Sequence, residues 1–161
     1  MPTPDQLSTA GQLKLWPHKL SMGRPVVKNI YISQSAEAWI HENLKNLKSD
    51  GYHHGVEEPR EQLADIFRRV MTGENINEFH PKTLWRHPDW LHELRTADLR
   101  IFGWFWRSTH FLVGEISVKS NFADKVVTYN GYLESCRALR DFLDLDPPKF
   151  IEGEIDDILG F

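Results

Sequence analysis

A chain of 161 residues, 40% hydrophobic and 26% charged, has the composition of one globular domain, which excludes an intrinsically disordered chain and is long enough to bury a core without cross-links. Its single cysteine, Cys136, excludes an internal disulfide and leads to the expectation of a reducing, cytoplasmic setting; no apolar run reaches the roughly 18 residues that span a bilayer. A formal net charge of −4 argues against a simple polyanion binder, yet the charge is uneven: −1 over residues 1–79, +2 over 80–125 and −5 over 126–161.

In chain order, residues 1–25 open with MPTPDQLSTAGQ, lack the basic and apolar regions of a secretion signal, and read as a flexible lead-in. Val26 to Ile32 is β-branched and aromatic between Gly23, Pro25 and Ser33, which predicts a strand. Ser35 is placed to cap a helix over 35–49 whose apolar positions Ala36, Ile40, Leu44 and Leu47 recur at the helical period, with Asp50 and Gly51 closing it. After the loop YHHG, a second helix over 58–72 has Pro59 at its start, Leu63, Ile66, Phe67, Val70 and Met71 on one face, and Gly73 at its end. Residues 73–89 carry two prolines and no sustained period and read as a loop.

Strands are predicted at 91–95, 99–107 and 111–119. The polar breaks between them are short, so they form an antiparallel meander. A helix over about 130–145 follows and stops at Asp146-Pro147-Pro148; Cys136 sits between Leu133 and Leu139 at helical spacing, as a buried structural thiol does. The acidic tail, 149–161, spaces Ile151, Ile155, Ile158 and Leu159 so that part of it is expected to dock on the domain. The fold class is therefore α+β: one mainly antiparallel sheet, two N-terminal helices packed on it and a C-terminal helix.

The order strand, helix, helix, three antiparallel strands, helix resembles the RelE/HigB-like toxin superfamily of messenger-RNA interferases. Local pattern adds to the likeness. In LHELRTADLRIFGWF an apolar strand ends at Arg95 and the next opens at Arg100; FLVGEISVKS ends at the basic Lys119; Tyr132 opens the last helix. Leu91 and Glu93 stand where some members of that family carry lysines. The resemblance covers 26–148 as an order of elements and Trp90 to Leu145 as residues. It implies a metal-independent RNA endonuclease of a toxin–antitoxin module, with RNA, on the ribosome or free, and an antitoxin protein as partners, and with no cofactor and no membrane.

Cleaving a phosphodiester without a metal requires cations for the phosphorane charge and groups that move protons. Carried over from the resemblance, Arg100 clamps the phosphate, because a guanidinium matches phosphate oxygens in pairs, Lys119 adds charge and Tyr132 stacks on a base or assists proton transfer. Arg95 is a weaker catalytic candidate, equally suited to an ion pair with Glu93 or Asp98. His92, beside Arg95, and Tyr129, Trp104 and Trp106 are the candidate RNA-binding residues, with Trp104 and Trp106 sharing strand parity with Arg100. That parity makes a binding surface if the face is open and a structural role if helices cover it. His110 is a second candidate base. The histidines at 53, 54, 80, 87 and 92 show no helical ligand spacing, and no metal site is expected; no phosphate-binding glycine loop or serine-hydrolase elbow occurs either. The alternative from a different class is a non-catalytic RelE-fold factor that binds another protein, phage-encoded or acting on a host, which the acidic tail and Glu93 favour.

Overall fold

The structure is a computed structural model and describes residues 2–18, 24–48, 57–122 and 126–160. Along the chain run helix α1 (Pro4–Thr9), strands β1 (Leu13–Leu15) and β2 (Asn29–Ser33), helix α2 (Gln34–Asn43) with a 3-10 turn (Leu44–Asn46), and helix α3 (Pro59–Thr72). A 3-10 turn (Asn77–Phe79) leads to strands β3 (Lys82–Trp85), β4 (Leu91–Arg95), β5 (Leu99–Arg107) and β6 (His110–Val118). A 3-10 turn (Lys119–Phe122), helix α4 (Val126–Phe142) and the short helix α5 (Ile155–Leu159) complete the chain. All six strands join one sheet in the order β1-β2-β6-β5-β4-β3, antiparallel except for β2 beside β6. The class is α+β with a mixed sheet.

Helices cover both faces. Ile30, Ile32, Leu94, Ile101, Phe105 and Val113 pack on one face against Ala36 of α2 and Leu63, Ile66, Phe67 and Val70 of α3. On the other, Tyr31, Phe102, Trp104 and Leu112 pack against Leu133 and Cys136 of α4 and Leu7 of α1. This is why β5 reads LRIFGWFW with little polar alternation: a strand buried on both sides is apolar at nearly every position. Burial also pushes the Cys136 thiol up from its ordinary pKa, which keeps it protonated.

Local chemistry sets the boundaries. Pro59 occupies the first turn of α3, where its missing N–H is no loss, and Gly73 ends the helix at φ 75°, a left-handed cap that glycine adopts without strain. The cap of α2 is Ser33 rather than Ser35. The Ser33 hydroxyl accepts the Ala36 N–H at 2.9 Å and donates to the Gly114 carbonyl at 2.8 Å, so the last residue of β2 starts the helix with no loop. The expected close of that helix at Asp50 and Gly51, and the YHHG loop with His53 and His54, lie outside the described residues.

The last helix, expected over about 130–145, runs Val126–Phe142, so Tyr132 lies within it and not at its entry. Two further segments differ from expectation. In the lead-in, Thr3 and Gln6 form a reciprocal capping box around α1, Leu7 and Leu13 are buried, and β1 pairs with β2, so residues 4–15 are ordered by the sheet they extend. Within the expected loop at 73–89, Lys82 to Trp85 pair with β4 as the sheet's other edge; an edge strand tolerates nearby prolines because one side of its backbone needs no partner.

The tail docks. Ile155 is buried in the first core, the Ile155 N–H donates to Thr83 Oγ1 at 2.8 Å, the Ile151 N–H donates to the Phe105 carbonyl at 2.9 Å, and Glu154 pairs with Arg86. Removing residues 149–161 should therefore lower stability by about 3 kcal/mol, the scale of one fully buried aliphatic side chain with its neighbours exposed. Urea unfolding checks this, and an unchanged midpoint would contradict the docking.

Candidate active site

Strand register assembles the site. Arg95 of β4 lies opposite Arg100 of β5, and Arg100 lies opposite Ser117 of β6, so three polar side chains stand in a row on the face under α4. Lys119 follows at the end of β6, where its N–H donates to the Asp98 carbonyl at 2.7 Å and ties the β4–β5 turn to the strand end. From above, Tyr129 and Tyr132 of α4 reach Phe102, Tyr129 edge-on at 5.3 Å and Tyr132 stacked at 5.6 Å, with Phe122 between them. The Tyr132 hydroxyl and the Asn121 amide both donate to Ser117 Oγ, at 3.3 and 2.8 Å.

These elements enclose a cavity of about 630 Å3. Its wall carries Lys48, Arg95, Arg100 and Lys119 as cations, Asp98 as the carboxylate, and Ser120, Tyr129 and Asn130 as further polar groups; Leu47, Leu84, Trp85, Val118, Phe122 and Leu133 make the apolar part. Among the described residues, Lys48, Arg100 and Lys119 form no ion pair, so the cavity is electropositive. Arg100 is only 9% exposed and its Nη1 donates to the carbonyls of Thr96 and Leu99 at 2.9 and 2.8 Å, which fixes the guanidinium before any ligand arrives.

Arg95 binds the carboxylate of the fully buried Glu93 through Nε. Burial alone would lower the pKa of Arg95, but Glu93 and the Tyr129 hydroxyl more than offset it and the net direction is upward. Tyr129 is held above the usual phenol range by burial first and by the Glu93 carboxylate second, against the opposing pull of Arg100 and Arg95. At neutral pH the Tyr129 hydroxyl is therefore a proton donor.

The structure thus brings Arg95, Arg100, Lys119 and Tyr129 onto one wall, with Tyr132 behind Tyr129. His92, Trp104 and Trp106 lie elsewhere. His92 points to the opposite face from Arg95, because three positions along a strand reverse the side chain; there it contacts Phe105 at 5.5 Å and Thr83 Oγ1 at 3.0 Å. Trp104 is completely buried under α4. Trp106 lies near the far end of β5, where its indole N–H donates to the Asp146 carbonyl at 3.0 Å. These two indoles serve as core, since helices cover their face. His110 stacks on Tyr31 at 5.9 Å, also away from the cavity. Asp98, Lys48 and Asn130 were not among the sequence-based candidates; the position of Asp98 in the hairpin turn before Arg100 was the available signal for the first, and only tertiary packing places the others.

Complete burial drives the His92 pKa down to about 4 from 6.5; Glu154 opposes this and Arg140 adds to it. A depressed histidine is neutral in the folded chain while the unfolded chain binds a proton. Its stabilising effect is complete above pH 6.5 and is lost as pH falls toward 4. The loss amounts to about 3 kcal/mol. Urea unfolding at pH 7 and pH 4.5 should show a steeper loss for the parent chain than for His92→Gln, and equal slopes would contradict the assignment.

A second groove, about 490 Å3, lies between β1, α2 and α3, and its charges are spent internally: Lys14 and His41 lie against Glu37, and Arg68 pairs with Asp65. No helix among the described residues is long and apolar enough to cross a membrane. No protein-family model, curated protein or solved structure matches this chain.

Proposed function

We propose that the chain is a RelE-like, metal-independent RNA endonuclease of a toxin–antitoxin type, and that the cavity between the β4–β5–β6 row and α4 holds the scissile phosphodiester. The observation that carries this reading is the convergence of Arg95, Arg100 and Lys119 with Tyr129 on one partly apolar wall. A prefixed guanidinium pair with a neighbouring ammonium suits a phosphate whose charge grows in the transition state, and the aromatic and aliphatic part of the wall suits a nucleotide better than free phosphate. The order β2, α2, α3, β4, β5, β6, α4 is also the order of elements that the family resemblance implies, with β1, β3, α1 and α5 as additions.

In this reading the ribose 2′-oxygen attacks phosphorus and displaces the 5′-oxygen, leaving a 2′,3′-cyclic phosphate and a 5′-hydroxyl. Arg95, Arg100 and Lys119 stabilise the pentacoordinate charge. Asp98, the carboxylate on the wall, accepts the 2′ proton, and Tyr129, held protonated, donates a proton to the leaving 5′-oxygen. The two features that favour a protein-binding role, the acidic tail and Glu93, are both engaged within the chain, by β3 and by Arg95. Incubating purified protein with single-stranded RNA, with and without ribosomes and in EDTA, tests the reading. Cyclic-phosphate products that persist in EDTA and decline with added salt are expected; intact RNA under both conditions would overturn it.

A further inference from the structure

We infer that the buried carboxylate of Glu93 is a positioning residue for this cavity, holding Arg95 in the orientation from which it meets a phosphate. The activity arm of its test rests on the RNA reading above; the geometric argument does not.

Glu93 sits mid-strand in β4, opposite Phe102 of β5, and its side chain is wholly shielded from solvent. An acid there is expensive to desolvate, and the packing around Phe102 would accept an aliphatic side chain without that cost. The carboxylate is instead matched to the cavity wall. One oxygen takes the Nε–H of Arg95, while the other has no hydrogen-bond partner among the described residues. The charged or titratable groups around it are Arg95 on its own strand, Arg100 two register pairs along on β5, Tyr129 on α4, and Lys82, its register neighbour on β3, which is exposed.

Holding Arg95 by Nε has a specific effect. An unanchored arginine samples many rotamers, whereas one tied at Nε presents its terminal N–H groups from a fixed position, so the ordering cost is met in folding and not on binding. Burial first, and the same carboxylate second, raise the Tyr129 pKa against the opposing pull of Arg100 and Arg95.

Glu93→Gln keeps the shape and removes the charge. In the parent background it should lower kcat for RNA cleavage by about tenfold or more with a smaller change in KM, since misplacing a charge-stabilising group acts mainly on the transition state. In an Arg95→Ala background it should add little, because Glu93 acts through Arg95. Independently of RNA, the Arg95 Nε–H resonance, assigned by comparison with Arg95→Ala and protected from exchange in the parent chain, should exchange faster with solvent in Glu93→Gln. An equal cleavage loss in both backgrounds, or an unchanged exchange rate at Arg95 Nε–H, would overturn the inference. If the parent chain neither binds nor cleaves RNA, the proposed function falls and the Arg95 exchange measurement decides this one. Should Glu93→Gln fail to fold, Glu93→Asp, which withdraws the charge from Arg95, should show the same background-dependent loss, and its absence would count against the role.

Discussion

Replacing Arg100 with alanine should lower RNA cleavage about 100-fold, the usual loss when one preorganised donor is removed from a developing oxyanion. The expectation follows from where the strand register puts the side chain: between Arg95 and Ser117, on the cavity wall, with Nη1 anchored to two backbone carbonyls. The same anchoring predicts a stability loss of about 1–3 kcal/mol, because the Thr96 and Leu99 carbonyls lose a charged donor. Arg100→Lys separates the two effects. It keeps the charge but loses the planar fork, so it should recover only part of the activity. Kinetics must be measured on variants shown to be folded at the assay temperature. A folded Arg100→Ala chain with full cleavage activity would return Arg100 to a structural role.

Gly103→Ala should destabilise the chain by about 4 kcal/mol or more, a large share of the roughly 5–15 kcal/mol that holds an ordinary domain folded. A Cβ at Gly103 would lie 2.1 Å from the Leu112 carbonyl oxygen and 3.0 Å from both the Leu112 carbonyl carbon and the Phe111 ring. The nearest obstacle is backbone of the central strand pair, which cannot swing aside as a side-chain tip can. The site also matters for function. The register of β5 against β6 shifts between Phe102 and Gly103, and that irregularity, a device sheets use to re-aim side chains, separates the Arg100–Ser117 end from the Trp104–Trp106 end. Gly131→Ala in α4 is the control, since nothing lies within 4 Å of its Cβ; it should be neutral or stabilising by roughly 0.5–1 kcal/mol. Chemical denaturation of both variants checks the contrast. Equal stabilities would show that the β5–β6 pair can relax.

Much of the fold was legible in the sequence because hydrophobic period and local stop signals coincide. The α3 stripe of Leu63, Ile66, Phe67, Val70 and Met71 lies between Pro59 and Gly73, and the hairpin breaks at 96–98 and 108–109 separate long apolar runs. What escaped has identifiable causes. β1 and β3 are short edge strands of three and four residues, too brief for a period-two pattern to stand out, and their pairing is decided by the strands they join. The helix start at Ser33 was obscured because strand and helix share that residue.

The site was legible in part for a similar reason. Parity along one strand is local, and it separates His92 from Arg95 and unites Glu93 with Arg95. Register between strands is not local, so the alignment of Arg95, Arg100 and Ser117, and the approach of Lys48 and Trp85, needed the sheet itself. Coverage is tertiary too: α4 turns the face carrying Trp104 into core while leaving the Arg100 end open to a cavity.

The central claim is that RNA phosphate is held in the cavity of Arg95, Arg100, Lys119 and Tyr129, and a residue-resolved binding measurement tests it most directly. Backbone amide shifts of the labelled chain would be followed during titration with a single-stranded RNA whose 2′-hydroxyls are replaced by hydrogen, so that it binds without being cleaved. Perturbations concentrated at Arg95, Asp98, Arg100, Lys119, Ser120, Tyr129 and Asn130, weakening as salt is raised, are the predicted result. Perturbations confined to the groove of Lys14, Glu37 and Arg68, or none at all at low salt, would contradict it.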